Sequence, residues 1–307
     1  MSKAELMRDT PSNTKESDSS VNGEKRISFG ENGEFGINEI RVGIDNSPGL
    51  ESMTEDWNNI APDYVEEYRT RRNTRYELIE IPELKLRLGE KLHNGKILDV
   101  GSGPLIFAER EVFNSHPENE WPDEYWALDP SENMEEIAED RTGEKLWKER
   151  IVNIRSGIEE ANLPEDYFDL AVGIFSLENS SDPREGLKRI NESLKERGIF
   201  AGILKHQDRN QRYLKSYGDI DFKMFLKSLG ADSLWAQEYW EGCGDTGMVW
   251  ALYALNDTWR KWFETAGFSS VTLITPKITE KVKEMLPELS KNWEKQGHSG
   301  MIFIAKK

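Results

Sequence analysis

The residues best suited to chemistry in this chain sit where short apolar runs end. Ile97-Leu98-Asp99-Val100 runs into Gly101-Ser102-Gly103-Pro104, and two glycines at such a corner let the backbone approach a bound nucleotide closely. The dinucleotide fingerprint requires a third glycine, and Ile106 stands in that place, which argues against a nicotinamide cofactor. Asp129, followed by Pro130, closes the run Tyr125-Trp126-Ala127-Leu128, where a carboxylate can accept the two hydroxyls of a ribose. Ser156-Gly157-Ile158-Glu159 and Ser176-Leu177-Glu178-Asn179 end two further runs, and His206 follows a fifth. Placed there, His206 is a candidate general base, Glu178 and Asn179 candidate holders of an acceptor, and Ser176 a contact to the nucleotide-bearing ligand. The histidines His93, His116, His206 and His298 are scattered without metal-ligand spacing, so no metal site is expected.

The elements that position these corners follow from periodicity. Lys96–Val100, Tyr125–Leu128, Arg150–Ile154, Phe168–Phe175 and Gly198–Leu204 read as buried strands, and helical patterns alternate with them. Leu105–Phe113 is one such helix, a second starts at the N-cap Ser131, and a third spans Pro183–Arg197. This alternation predicts an α/β fold with a mostly parallel sheet covered by helices on both faces, and ligands in such sheets bind beyond the carboxyl ends of the strands. Val271–Thr275 and Gly300–Ala305 supply two later strands, with a polar helix over 279–295 between them. Before the first strand, Trp57–Tyr68 reads as a helix and 75–92 as another, disturbed by Pro82. An insertion over about 205–257 is rich in aromatic residues and predicts a lid with a small core of its own; within it, Trp240 and Asp245 are candidate acceptor contacts.

Composition bounds the function class. The 307 residues carry 40 Lys and Arg against 57 Asp and Glu, a formal charge of −17, which argues against a nucleic-acid partner. The arginines at 69, 71, 72 and 75 read as a solvated helix end. Residues 1–50 hold almost no apolar run and read as a disordered or flexible arm before a single domain over 51–307. No apolar stretch reaches membrane-spanning length and no secretory leader is evident; with Cys243 as the single cysteine, a cytoplasmic setting is expected. Nothing in the sequence fixes the oligomeric state.

Over Trp57 to Leu204 the chain resembles the class I S-adenosylmethionine-dependent methyltransferases. The resemblance implies a Rossmann-like seven-stranded sheet whose last strand is antiparallel, with S-adenosylmethionine as cofactor. Asp99, Gly101, Ser102 and Gly103 match the family's glycine-rich first motif, Asp129 its ribose-binding acid, and Ile158 and Glu159 the stretch that borders adenine. Leu105 stands where the family often has a third glycine, and Gly157 where it usually has an acid. Trp57–Tyr64 is similar to the helix that small-molecule members fold over the cofactor, which makes Tyr64 a candidate contact to the sulfonium. A shorter likeness, in Asp99–Pro104 and Pro62–Tyr68, is to the nicotinamide and phenylethanolamine N-methyltransferases and points toward an amine acceptor. The resemblance implies an in-line methyl transfer to a small molecule, without metal or covalent intermediate. Modification of a protein or peptide side chain, and a non-catalytic binding module, are the alternative readings.

Overall fold

A computed structural model describes residues 26–28, 37–70, 75–215, 221–239 and 247–307. The first described elements are strands β1 (Arg26–Ser28) and β2 (Ile37–Val42) and helix α1 (Leu50–Thr70). Helix α2 (Ile81–Leu88), strands β3 (Lys96–Val100) and β4 (Glu124–Leu128), helix α3 (Glu132–Thr142), strands β5 (Ile151–Ile154) and β6 (Phe168–Ile174), helix α4 (Pro183–Ser193) and strand β7 (Leu194–Lys205) follow. Then come α5 (Gln207–Lys215), α6 (Phe222–Leu229), β8 (Ser233–Tyr239), β9 (Met248–Ala254), α7 (Asn256–Thr265), β10 (Ser270–Ile274), α8 (Glu280–Met285), α9 (Pro287–Gln296) and β11 (Gly300–Lys306).

Seven strands form one sheet in the order β10-β11-β7-β6-β3-β4-β5, and β11 runs antiparallel to both of its neighbours. The expected α/β architecture is therefore present, including the late antiparallel strand near one edge. The central strands are apolar on both faces because helices cover both. One face packs Leu98, Phe200 and Phe303 against α4 and α7, and the other packs Ile97, Leu170 and Ile203 against α2 and the helical turn Ala108–Phe113. From β3 the chain steps to β4 and β5 on one side, and from β6 it steps to β7 on the other. Strand order thus reverses between β3 and β6, and their carboxyl ends part to open a crevice.

A second, antiparallel sheet has the order β1-β2-β8-β9. Within the stretch read as a disordered or flexible arm, Ile37–Val42 is a strand that pairs with β8 of the insertion, from Ile37 opposite Glu238 to Val42 opposite Leu234. Ile40 and Val42 alternate inward and join Phe222, Leu226, Leu234 and Tyr253, so strand period prevails over the polar composition around it. Among the insertion's described residues, Phe222, Phe225, Trp235, Trp250 and Tyr253 are core, with Trp235 and Tyr253 fully buried. Two helical readings are subdivided. The 75–92 stretch becomes a wide turn Tyr76–Glu80, then α2 with Pro82 in its first turn, then a tight turn Gly89–Leu92. The 279–295 stretch divides into α8 and α9 where Pro287 starts a new helix.

Phe303 ties the late strand to the sheet, with its ring 4.7 Å from that of Phe200 and 5.1 Å from that of Phe263. Phe303→Ala should destabilise the fold by about 3–5 kcal/mol, read from the midpoint of urea unfolding. An unchanged midpoint would show that β11 is not seated by this ring.

Candidate active site

The crevice between β3 and β6 deepens into a cavity of about 240 Å³. Its floor begins at Gly101, whose φ of +67° suits glycine and whose Cβ, were there one, would lie 2.5 Å from Cβ of Ser176. The corner after β3 and the corner after β6 therefore touch, and a side chain at 101 would push them apart. The N–H groups of Gly101 and Ser102 donate to the Leu128 carbonyl at 2.8 and 3.0 Å, which fastens the corner to the end of β4. Leu105, at the place of the third glycine, takes φ +59° and is 1% exposed. It keeps a glycine-like backbone, a costly conformation for leucine, while its side chain fills the core beneath.

Asp129 bridges the two corners. Its Oδ2 accepts the Gly103 N–H at 2.9 Å and its Oδ1 accepts the Ser131 N–H at 2.9 Å. A carboxylate has about four acceptor sites, so two remain for a ligand's hydroxyls. Burial lifts its pKa to about 6 even though both N–H groups pull it down. Asp99, behind the corner, accepts the Tyr125 hydroxyl at 2.6 Å, and burial lifts it to about 7. A buried carboxylate pair held this way gains from an incoming cation or hydroxyl donor. Ser176 Oγ adds a buried hydroxyl with no hydrogen-bond partner among the described residues.

Helix α1 roofs the cavity. Leu50, Trp57 and Tyr64 stand seven residues apart, share one face and all line the wall. Trp57 and Tyr64 meet edge to face at 5.8 Å. The helix is docked through Asn58, which accepts Ser131 Oγ at 2.7 Å and, on its backbone carbonyl, Asn133 Nδ2 at 2.8 Å. Gly157 sits beneath the same roof: a Cβ there would come 2.9 Å from both Leu50 Cδ1 and Glu159 Oε2, so a larger residue would have to displace one of them. Glu159, expected to border a ligand, reaches the wall, but its carboxylate is taken up by the hydroxyls of Ser180 and Ser181 and by the Ser181 N–H.

Of the residues singled out from the sequence, Tyr64, Asp99, Gly101, Ser102, Gly103, Asp129, Pro130, Ile158, Glu159, Ser176 and Asn179 line this one cavity. Glu178 and His206 do not. Glu178 is fully buried and turns its Oε1 to the Lys205 backbone N–H, while burial raises its pKa. His206 lies on the far side of the β7 end, accepting the Asp208 N–H at 3.1 Å and standing 3.3 Å from Thr275 Oγ1; burial lowers its pKa and favours the neutral ring. Side chains alternate at the end of a strand, so the residue before His206 faces the cavity instead. That residue is Lys205, joined by Arg209 from α5, and neither was picked out from the sequence. A charged residue closing an otherwise apolar strand was the available signal, because a charge is buried there only when paired. Trp240 and Asp245 lie outside the described residues. Arg75, read as part of a solvated helix end, is buried and pairs with Glu80 at 3.3 Å.

The histidines are not scattered in space. His93 and His116, brought together before β3 and β4, place their Nε2 atoms 3.1 Å apart with Glu120 beside them. This pair lies at the amino ends of the strands, away from the cavity.

A family model described as a methyltransferase domain matches residues 68–273. Among solved structures, the chain is similar to an S-adenosylmethionine-dependent methyltransferase from Mesorhizobium loti, at 18% identity over 74% of this chain and 97% of that one, with a TM-score of 0.54. It is similar to another from Thermotoga maritima, at 17% identity over 83% and 99%, with a TM-score of 0.52. The cyclase SpnF shares the fold at 17% identity over 87% and 99%, with a TM-score of 0.57. At these identities the likeness is one of fold. No curated protein matches the sequence.

The upward shifts of Asp99 and Asp129 set a pH dependence. The folded chain holds these protons more tightly than the unfolded one, whose carboxyls titrate near 3.8. Their stabilising contribution is thus complete below that value and lost as pH rises through about 6 and then about 7. Hydroxyl donors need the ionised Asp129, so affinity for S-adenosylhomocysteine should climb up to tenfold per pH unit toward about 6 and level off above about 7. Calorimetric titration from about pH 5 to about pH 8 reads this directly. Asp129→Ala should weaken the binding by about 1–3 kcal/mol and flatten the lower part of that profile. Equal affinities for the two proteins would separate Asp129 from the ligand.

Proposed function

We propose, for a chain that belongs to the class I S-adenosylmethionine-dependent methyltransferases, that the methyl acceptor is a small molecule enclosed beneath α1. Methyl transfer is the activity and S-adenosylmethionine the cofactor. The observation that carries it is the roof: the face of Leu50, Trp57 and Tyr64 closes a cavity of about 240 Å³ over the β3–β6 crevice. An acceptor that fits beneath such a roof is a metabolite-sized molecule.

The donor set suits the cofactor. Gly101 leaves room for close backbone approach, Asp129 has acceptor capacity for ribose hydroxyls, and Leu50, Met134 and Ile158 offer an apolar slot near Asp129. When bound, S-adenosylmethionine supplies a methyl group on a sulfonium. The chain's part is to bring a nucleophile close behind that methyl and to exclude water, and α1 supplies the exclusion. The Trp57 and Tyr64 rings favour a positive charge nearby. Asn179, on the wall, donates its Nδ2 to the Phe175 carbonyl at 2.7 Å, which leaves its buried Oδ1 without a partner among the described residues. That oxygen can take an N–H or O–H of the acceptor and so aim its lone pair.

An amine acceptor, as the sequence suggests, fits this arrangement when the nitrogen reaches the site unprotonated. Glu178, the carboxylate expected to hold an ammonium, faces the Lys205 backbone instead.

Two measurements test the reading. S-adenosylhomocysteine at a hundred times its dissociation constant should stabilise the chain by about 2.7 kcal/mol in a thermal-shift titration. Methyl-labelled cofactor incubated with a cell extract should, once unreacted cofactor is removed by chromatography, leave its label in material that passes an ultrafiltration membrane. Label held only on retained protein would refute the small acceptor, and the absence of any thermal shift would refute the cofactor site.

A further inference from the structure

We infer that the acceptor carries an oxyanion group, a carboxylate or a phosphate, held by Arg209 and Lys205 at the β7 side of the cavity. This inference rests on the small-acceptor reading above.

Charge on the cavity wall is divided by sign. Asp99, Asp129 and Glu159 stand on the β3–β5 side, where the cofactor residues gather, and Lys205 and Arg209 stand on the β7 side. The carboxylates that neighbour those two cations, Glu178 and Glu238, are not on the wall. Glu238 is shared: its Oε1 accepts Lys205 Nζ at 2.5 Å and Arg209 Nη2 at 3.3 Å, while its Oε2 accepts the Tyr253 hydroxyl at 2.5 Å. One carboxylate thus serves two cations and has its lone pairs largely used.

Arg209 is left with the clearest vacancy. Its Nη2 is engaged by Glu238 and by the Tyr213 hydroxyl at 3.4 Å, and its guanidinium lies 4.9 Å from the Tyr213 ring centre, but its buried Nη1 has no hydrogen-bond partner among the described residues. A guanidinium stays charged at any working pH, so Nη1 is a permanently positive donor without an acceptor among the described residues. Leaving such a group unmet costs free energy, and an oxyanion is the acceptor that recovers most of it. Lys205, only 4% exposed, offers up to two further N–H groups beside it. A purely cationic acceptor would face two cations on the wall, offset only in part by Glu238 behind them. Asn179 Oδ1, unpaired on the same wall, asks for a donor. Oxyanion and nearby N–H or O–H together describe a molecule of amino-acid or hydroxy-acid type, or its phosphate counterpart.

The test separates acceptors by charge before the reaction. The small-molecule fraction of a cell extract is brought to about pH 11, where amino acids lose their ammonium proton and become anions, and passed over a strong anion exchanger; the bound and unbound pools are each returned to neutral pH and incubated with the full chain and methyl-labelled S-adenosylmethionine. Label should appear in the bound pool; alkaline phosphatase treatment of that pool removes the activity if the group is a phosphate and spares it if it is a carboxylate. Label confined to the unbound pool overturns the inference while leaving the small acceptor intact, and label confined to protein overturns both. Arg209→Met leaves Glu238 paired to Lys205 and Tyr253, so the buried carboxylate is not orphaned. In dilute bound pool this variant should transfer methyl at least about tenfold more slowly. A more concentrated pool should restore its rate, Arg209→Lys should recover part of it, and affinity for S-adenosylhomocysteine should stay unchanged. Transfer by Arg209→Met at the original rate in dilute pool would show that Arg209 serves only the packing of the insertion.

Discussion

The backbone leaving β3 must pass within contact distance of the corner after β6, and only a residue without a side chain permits it. Gly101 meets that demand, with the Ser176 side chain occupying the space its own would need. The contact decides where the two corners sit, and they decide where Asp129 can reach. Through the Gly103 N–H, Asp129 then locks the β4 corner to the β3 corner. Helix α1 is docked onto the same assembly by Asn58 and Ser131, so the roof inherits its position from the floor. A cavity whose walls are tied in this chain of contacts is organised before any ligand arrives, and it gives up little ordering entropy on binding.

Burial gives the site its polarity. Carboxylates on the β3 and β4 side are pushed toward neutrality by desolvation, whereas Glu238, equally buried, is drawn down to about 2 because Arg209 and Lys205 outweigh its burial. The same physical setting thus produces acids that welcome a proton or a donor at one side and a firmly ionised cluster at the other. A sulfonium and its neighbouring donors suit the first environment. The second is held together by ionic contacts within the insertion, so its charge arrangement is part of the fold as well as part of the site.

How far the residues announced this differs from place to place. The corners at Gly101–Gly103 and Asp129 were legible because their chemistry is local: a strand end, a turn, and backbone groups within a few residues. The seven-stranded sheet was legible for a similar reason, since runs such as Phe168–Ile174 keep their period whatever surrounds them. Glu178 and His206 were misjudged by one position each, because at a strand end the facing of a side chain depends on twist and on the tight turn that follows. Lys205 and Arg209 stayed hidden since what binds them to the site is Glu238, 33 and 29 residues away. The departures at Leu105 and Gly157 were visible, but their resolution was not: one is absorbed by a strained backbone, the other by Leu50 from a helix over a hundred residues earlier. Strand β2 was lost in a polar composition and becomes intelligible only beside its partner β8.

That pairing bears on the order in which the molecule comes together. Ile37 lies opposite Glu238, so the first long strand among the described residues waits through about two hundred residues of synthesis before its neighbour exists. Closing so long a loop is entropically costly and such contacts form late, after helices and nearby strands have set. The large sheet can assemble its β3–β7 body beforehand, from segments that follow one another. The small sheet, and with it the final seating of the segment that leads into α1, completes last, which makes β2 an early strand in the chain and a late one in folding.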